Sequence, residues 1–442
     1  MKHAVKIALA YVGIVIGAGF ASGQEVLQYF AAFGWRGIAG ASLAAIVIAV
    51  TTMIIFQFGS YLLAYEHNQV LEELRFPWLT RILDLSVIIT LFSIGFVMFA
   101  GAGANLQQQW GAHPWIGAFL MLTLVLVTGM LDVDKVSTVI GAATPFITLL
   151  LLVTFGAVLL GPWPSLTELE AGSQLIATTL PNALVSSINY AGLVLICALS
   201  MSVVISGNHL NTRATGRGGL IGGVAFGLML VLSALSLYRE APLVAGDAMP
   251  LMTLLNALHP VVGQVMAAII YLMIFNTAVS LFYALGKRLT TRAPHRFRLV
   301  YVLVCLLGFT LSFVGFQTLV GWVYPFLGYA GVLLAVAMFA MWLRQRRQIR
   351  LESRRRDAIV ELAEKKFDEQ VVFSEQEQAV LDRHVERSNV DNDELREAIV
   401  EHVSADTSDY DVADWDDVDV TNPAMPAIVI DGDLPQASTS ST

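Results

Sequence analysis

Apolar residues fall in long runs separated by short polar stretches. The runs cover roughly residues 4–33, 37–65, 82–108, 114–131, 136–160, 180–206, 218–238, 260–286, 299–315 and 318–343. Most come near or above the roughly 20 residues that a helix needs to cross a bilayer. A helix also satisfies its own backbone hydrogen bonds, which hydrocarbon requires. The pattern predicts an all-α polytopic membrane protein with ten transmembrane helices. The first run is too long for a straight crossing, since its 30 residues would reach about 45 Å against a core of about 30 Å. A break or a tilt is expected there. Before span eight, Pro250 to His259 reads as a short helix in the loop.

The break has a sequence. Gly17-Ala18-Gly19-Phe20-Ala21-Ser22-Gly23-Gln24-Glu25 lies in the middle of the first run. Irregular backbone at membrane depth is tolerated only where protein buries it or it lines a wet cavity. Ser22-x-x-Glu25 has the capping-box pattern of a new helix start. The expectation is two half-helices meeting at Gly17 to Ala21. The second offers free N–H groups and the positive end of its dipole to an anion such as a carboxylate. The first ends in unpaired carbonyls that suit a cation such as Na⁺. Gly17, Ala18, Gly19, Phe20, Ala21 and Ser22 are the candidate substrate-binding residues on this span. The competing reading makes Gly13, Gly17 and Gly23 small packing positions for neighbouring spans.

Glu25 is the only carboxylate deep in a span; Asp84 sits near a membrane end. An ionisable residue inside a span points to function. Glu25 is read as the proton-coupling residue, and a role as helix cap is compatible with that.

Composition narrows the class. Of 442 residues, 56% are hydrophobic and 14% charged, and mean hydropathy is +0.67. Soluble domains carry about 25% charged residues. The net charge of −9 conceals two unlike parts. Residues 1–350 hold 18 Lys/Arg against 11 Asp/Glu, whereas residues 351–442 hold 8 against 24. In the alternating ten-span arrangement, 16 of the 18 basic residues fall in loops or ends on one side; only Arg36 and Arg239 fall on the other. The positive-inside rule puts both termini in the cytoplasm. A cleavable signal peptide is the rival reading of the N-terminus, with Lys2 and Lys6 before an apolar stretch and small residues at Gly19-Phe20-Ala21. The helical pattern continues through Val26, Leu27, Tyr29, Phe30 and Phe33, which favours a retained span.

The domain reading is a transporter domain over 1–350, a partly helical cytoplasmic tail over 351–403 and a disordered acidic tail over 404–442. The first tail carries a second capping box at Ser374-x-x-Glu377. The last is rich in Asp, Ser, Thr and Pro and lacks the apolar groups for a core. A solvated tail is favoured over a docking segment.

Several functions are disfavoured. Cys197 and Cys305 lie in apolar runs and read as free thiols, and the eight histidines form no metal-binding spacing. No catalytic cluster lies within the spans, so an enzyme is not expected. The glycine string is not G-x-G-x-x-G and follows no strand, so it is not a nucleotide loop. Nucleic acid is not an expected partner. The lipid bilayer and a small-molecule solute are, with the oligomeric state open and no cofactor beyond a coupling ion.

Ten spans, cytoplasmic termini and a first span broken at Gly17-Ala18-Gly19 resemble the amino acid–polyamine–organocation superfamily with the LeuT fold. The fuller string through Glu25 resembles more closely the YkvI-type bacterial membrane proteins within it. The resemblance covers about residues 4–343. It implies a 5+5 inverted repeat with broken helices 1 and 6. The polar cluster Ser186, Ser187, Asn189 and Tyr190, followed by Gly192, is the natural place for the second break. Asn189, Tyr190 and Gly192 are added to the substrate site on that basis, although such a cluster also serves as polar glue between helices. The resemblance further implies a Na⁺ site from the carbonyls of Gly13 and Ile16 and hydroxyls of span eight, where Asn276, Thr277 and Ser280 are the polar candidates. Thr277 and Ser280 supply the hydroxyls. The family uses two adjacent hydroxyls, and Leu281 follows Ser280 here. Protons through Glu25 are therefore the rival coupling.

The function expected is a secondary active transporter of the cell membrane, moving a small amino acid or related small solute by alternating access, coupled to Na⁺ or H⁺. The alternative is a non-transporting membrane sensor that uses the same core to bind a ligand.

Overall fold

The computed structural model describes residues 2–74, 77–130, 144–367, 371 and 373–406. The described residues form helices, turns and irregular segments, with no strand among them. The helices are α1 (Lys2–Val15), α2 (Ala18–Ser22), α3 (Gln24–Tyr29), α4 (Gly34–Leu62), α5 (His67–Glu72), α6 (Pro77–Trp110), α7 (Pro114–Thr128), α8 (Thr144–Leu160), α9 (Leu166–Ser173), α10 (Ala183–Gly207), α11 (Thr212–Arg239), α12 (Ala241–Val244), α13 (Pro250–Leu258), α14 (Pro260–Leu289), α15 (Phe297–Ser312), α16 (Phe316–Phe367), α17 (Glu375–Glu386) and α18 (Asn392–Asp406). Among the described residues, seven segments are long and apolar enough to cross a membrane, and three shorter apolar helices accompany them. The ten-span arrangement accommodates all of them. Part of the fifth run, residues 136–143, lies outside the described residues, as do Arg75 and Lys135 of the loop count and residues 407–442 of the acidic tail.

The membrane unit comprises residues 1–208 and 212–349. Its outward surface is apolar, with Leu9, Leu228, Leu303 and Val336 exposed, as a hydrocarbon solvent favours. Inside it, α4 packs on α10 and α11, and α6 packs on α14. Glycines allow the closest approaches. At Gly192 a Cβ would lie 2.4 Å from the Gly328 carbonyl oxygen, and at Gly331 one would lie 1.9 Å from that of Gly192. Span six and span ten therefore meet backbone to backbone.

Span one is interrupted, but in two places. The Gly17 N–H turns to the Val15 carbonyl (2.8 Å), leaving the helical bond to Gly13 unmade. Gly17 itself is extended, and Ala18–Ser22 is a short helix rather than the break. Gly23 then takes a left-handed conformation (φ 81°) before α3 begins. That residue shifts the helix start by one position, which undoes the expected capping box. The N-cap is Gly23, not Ser22. Ser22 Oγ instead accepts from the Gln24 N–H (3.1 Å) and donates to the Gly19 carbonyl (2.7 Å).

Span six is not interrupted at Ser186–Gly192. α10 runs continuously from Ala183 to Gly207, with the Asn182 side chain accepting from the Val185 N–H at its start. The irregular backbone lies before it, over residues 174–182. The break predicted within the polar cluster is corrected accordingly: Ser186, Asn189 and Tyr190 bond neighbouring helices, Ser187 donates to Ala183 one turn back, and the helix stays intact. In span ten, Pro325 lies inside α16. Proline has no N–H to give the carbonyl four residues earlier. That carbonyl, Gly321, accepts from the Thr179 hydroxyl instead.

The second unit comprises residues 209–211 and 350–442. Its described part has a small core of its own, with Ile359, Leu381, Val385, Leu395 and Ile399 buried. Glu352, also buried, accepts from Arg356 Nε (3.2 Å) and Ser388 Oγ (2.6 Å). The capping box at Ser374–Glu377 is present.

The two kinds of glycine separate experimentally. Gly192→Val should lower the melting temperature in detergent by the equivalent of about 1–3 kcal/mol, the usual cost of overpacking. Gly13→Ala, where nothing lies within 4 Å of the added Cβ, should leave it unchanged or slightly higher.

Candidate functional site

The site is built where the pieces of span one meet spans six and ten. Glu25, 8% exposed, accepts a hydrogen bond at Oε1 from the Tyr190 hydroxyl (2.9 Å). Its Oε2 hangs over Gly19, 2.8 Å from where a Cβ would stand, and the Tyr324 hydroxyl of span ten is 3.4 Å from the same point. A side chain at Gly19 would therefore displace the carboxylate. Aromatic rings pack around its partner: Tyr29 and Phe30 meet Tyr190 edge-on at 5.3 and 5.1 Å.

The other predicted residues divide. Gly17 borders open space, with nothing within 4 Å of an added Cβ. Ala18, Ala21 and Ser22 are buried. Phe20 is buried against Phe226 of α11 (5.2 Å). Ser186 Oγ donates to the Tyr29 carbonyl (2.5 Å) at the end of α3. Asn189 accepts from the Tyr29 hydroxyl (3.0 Å) and donates to the Pro325 carbonyl (2.8 Å). These bonds tie span six to the broken span one and the proline-containing span ten. Gly192 is filled by the span-ten backbone and has no room for a ligand. Of the three span-six candidates, Tyr190 alone reaches Glu25.

The Na⁺ candidates are also spread. Gly13 has lost its helical donor at Gly17, and Ile16 is buried in the gap between α1 and α2. Thr277 and Ser280 are half-buried on α14, which packs against α2.

A cavity of about 1200 Å³ opens at the basic end of the bundle, walled by Asp84, Leu91, Ser200, Val204, Tyr283 and Arg288 among others. Its span-six wall is formed by Ser200 and Val204. Val204, Cys197 and Tyr190 are seven residues apart in succession, so they lie on one side of α10. Cys197 is exposed and lies within electrostatic reach of Glu25. At the mouth, Arg288 pairs with Asp84 and donates to Asn68 Oδ1 and His67 Nε2 (both 3.1 Å). Arginine only donates, so the His67 ring is neutral and its Nδ1–H faces Ser200 Oγ (3.0 Å). Burial and then the Arg288 charge lower the His67 pKa from the usual 6.5 to about 4.

The sequence reading missed Tyr324, Tyr29, Cys197 and the His67 network. A lone aromatic or thiol in an apolar run carries no signal of which cavity it faces.

No protein-family model matches the chain. Two Bacillus subtilis (strain 168) proteins are similar to it. The chain is 23% identical over 346 residues to the uncharacterized membrane protein YkvI, covering 78% of this chain and 98% of that protein. It is 26% identical over 345 residues to the uncharacterized protein YyaD, covering 76% and 96%. Among solved structures, Mhp1, a nucleobase-cation-symport-1 family transporter in a closed conformation with bromovinylhydantoin bound, aligns at TM-score 0.52 and 13% identity, covering 91% of this chain and 93% of that one. MhsT in complex with L-phenylalanine aligns at 0.51 and 14%, covering 89% and 96%. The chain is thus a relative of YkvI and YyaD with the LeuT-type fold.

Two outcomes are expected of the site. Gly19→Leu should abolish ligand binding while the protein still folds, because the displaced group is the end of a side chain, the Glu25 carboxylate, and not backbone. Melting temperature measured beside binding checks this, and global unfolding would favour a packing role. Separately, His67 binds fewer protons in the folded than in the unfolded state between pH 6.5 and about 4. Its contribution is full above the unfolded pKa and is lost as pH falls through that window, on the order of a few kcal/mol. Melting temperature should fall across the window in the wild type and less steeply in His67→Asn.

Proposed function

We propose that the chain is a secondary active transporter of a small amino acid or closely related small solute, working by alternating access in the cytoplasmic membrane with both termini in the cytoplasm. The observation that carries this reading is Glu25. It is a buried carboxylate beside Gly19 in the interrupted span one, held by the Tyr190 hydroxyl of another span. A buried carboxylate without a cationic partner is costly. It is retained where it binds something or exchanges a proton.

The roles follow from chemistry. The first N–H groups of α2, on Ala18, Gly19 and Phe20, have no partner within their own helix and suit the solute's anionic end. Glu25 faces its ammonium end or carries the coupling proton. A phenol can hold either protonation state, donating to the carboxylate or accepting from the acid. The cavity at the basic end, cytoplasmic under this reading, is walled on span six by Ser200 and Val204, on the helix that carries Tyr190 to Glu25. Sodium is the other coupling ion, held by the Gly13 and Ile16 carbonyls with Thr277 and Ser280. MhsT, solved with L-phenylalanine, and Mhp1, solved with bromovinylhydantoin, support a small organic solute as cargo.

Reconstituted vesicles test the assignment. Uptake across a panel of amino acids should follow an imposed pH gradient. Glu25→Gln should still bind the transported solute but lose that pH dependence. PH-dependent uptake unchanged in the variant reduces Glu25 to a structural group, and uptake that follows a Na⁺ gradient in both proteins moves the coupling to the span-one carbonyls.

A further inference from the structure

Glu25 is not the only costly polar group in the core. Asn105 of α6 is fully buried, and neither Nδ2 nor Oδ1 has a hydrogen-bond partner among the described residues. The Gln24 side chain of α3 is 2% exposed, and its Oε1 is also unpartnered. Buried side-chain polar atoms are in large majority bonded, and each one left unpaired costs about 1–3 kcal/mol. Two carboxamides kept in that condition call for a partner.

They face the same part of the molecule. Along α6, Gly101 sits a turn before Asn105 and abuts Phe316 of span ten. Gln108, almost a turn after it, bonds the Met249 carbonyl (3.1 Å) and Thr253 (2.8 Å) at the start of α13. Along span one, Gly23 abuts Leu251 of α13, and Gln28, a turn beyond Gln24, donates to the Gln317 carbonyl of span ten (3.1 Å). The same two features, the start of α13 and the start of span ten, are thus met within about a turn of each of these side chains on its own helix.

We propose that Asn105, with Gln24, is a specificity-determining contact for a solute side chain that presents a hydrogen-bond donor and acceptor side by side, as a carboxamide does. A cation satisfies only Oδ1 of Asn105, and an anion satisfies only Nδ2. A carboxamide pairs with both at once. This rests on the transport reading, in which the break in span one holds the solute's ammonium and carboxylate and leaves its side chain for Asn105.

The test is binding to the purified full chain of L-glutamine against L-norleucine, a chain of similar length without the amide. Wild type should prefer L-glutamine by at least about tenfold, or about 1.4 kcal/mol. Asn105→Leu should keep or raise the ligand-free melting temperature, because an unpaired group is removed, and should lose the preference. Gln24→Met reports the same loss from a different helix should Asn105→Leu fail to fold. No preference in wild type, a preference retained in the variants, or a melting temperature lowered in Asn105→Leu alongside a retained preference each overturns the proposal. Norleucine and glutamine bound equally well would leave the transport reading standing; neither solute nor any other amino acid bound would remove both.

Discussion

Hydrocarbon offers no partner to an open backbone, and the fold is arranged around that constraint. Several of the carbonyls and N–H groups at or near the breaks are met by side chains. Ser22 serves both sides of the turn at Gly23. Ser186 closes the end of α3. Thr179 takes the carbonyl that Pro325 frees, and Asn189 takes that of Pro325 itself. A span can be broken here because two other spans donate to it, so the breaks and the polar residues of span six are one feature.

That arrangement explains why the site can hold an acid. Glu25 sits among rings, which exclude water and raise the cost of its charge. Tyr190 supplies one hydrogen bond, and the missing Cβ of Gly19 supplies the space for the second oxygen. The carboxylate is therefore positioned by three spans but neutralised by none of these contacts. A group so placed responds to whatever enters the gap at Gly17, whether proton, ammonium or metal ion.

Much of this was legible in the residues. Run lengths gave the spans, excess length marked span one, and glycines placed an interruption at Gly17. The acid inside a span picked out Glu25. Other features depend on three-dimensional neighbours. Ser22-x-x-Glu25 matches a capping box, yet one left-handed glycine at 23 shifts the helix start and frees Glu25 for Tyr190. The resemblance implies a break in span six, and the polar cluster from Ser186 to Gly192 is the natural place for it. The partners of Ser186, Asn189 and Tyr190 prove to be on spans one and ten, and α10 stays whole. Gly192 and Gly17 are the same residue type in similar surroundings of sequence, but one is filled by the Gly328 carbonyl and the other borders empty space. No local pattern distinguishes those cases, since the difference lies in another helix's backbone.

The distribution of strong bonds across the bundle then has a consequence for movement. At the end away from the basic loops, Gln28, Gln108 and Gln317 bind carbonyls of span ten and of the segment 246–249, and Asp247 receives Thr253. These are mostly neutral amide bonds, each with a modest net value of about 1 kcal/mol that water can replace. At the basic end the Arg288–Asp84 pair joins α6 to α14, helices that already pack on each other, and His67 extends it to Ser200 of α10. The ionic contact thus joins helices that also pack directly on each other, whereas neutral amide bonds predominate in the contacts of the 246–253 segment. Separating the latter would cost a series of small, solvent-replaceable terms and would leave the charged pair and the glycine-filled contact of spans six and ten intact.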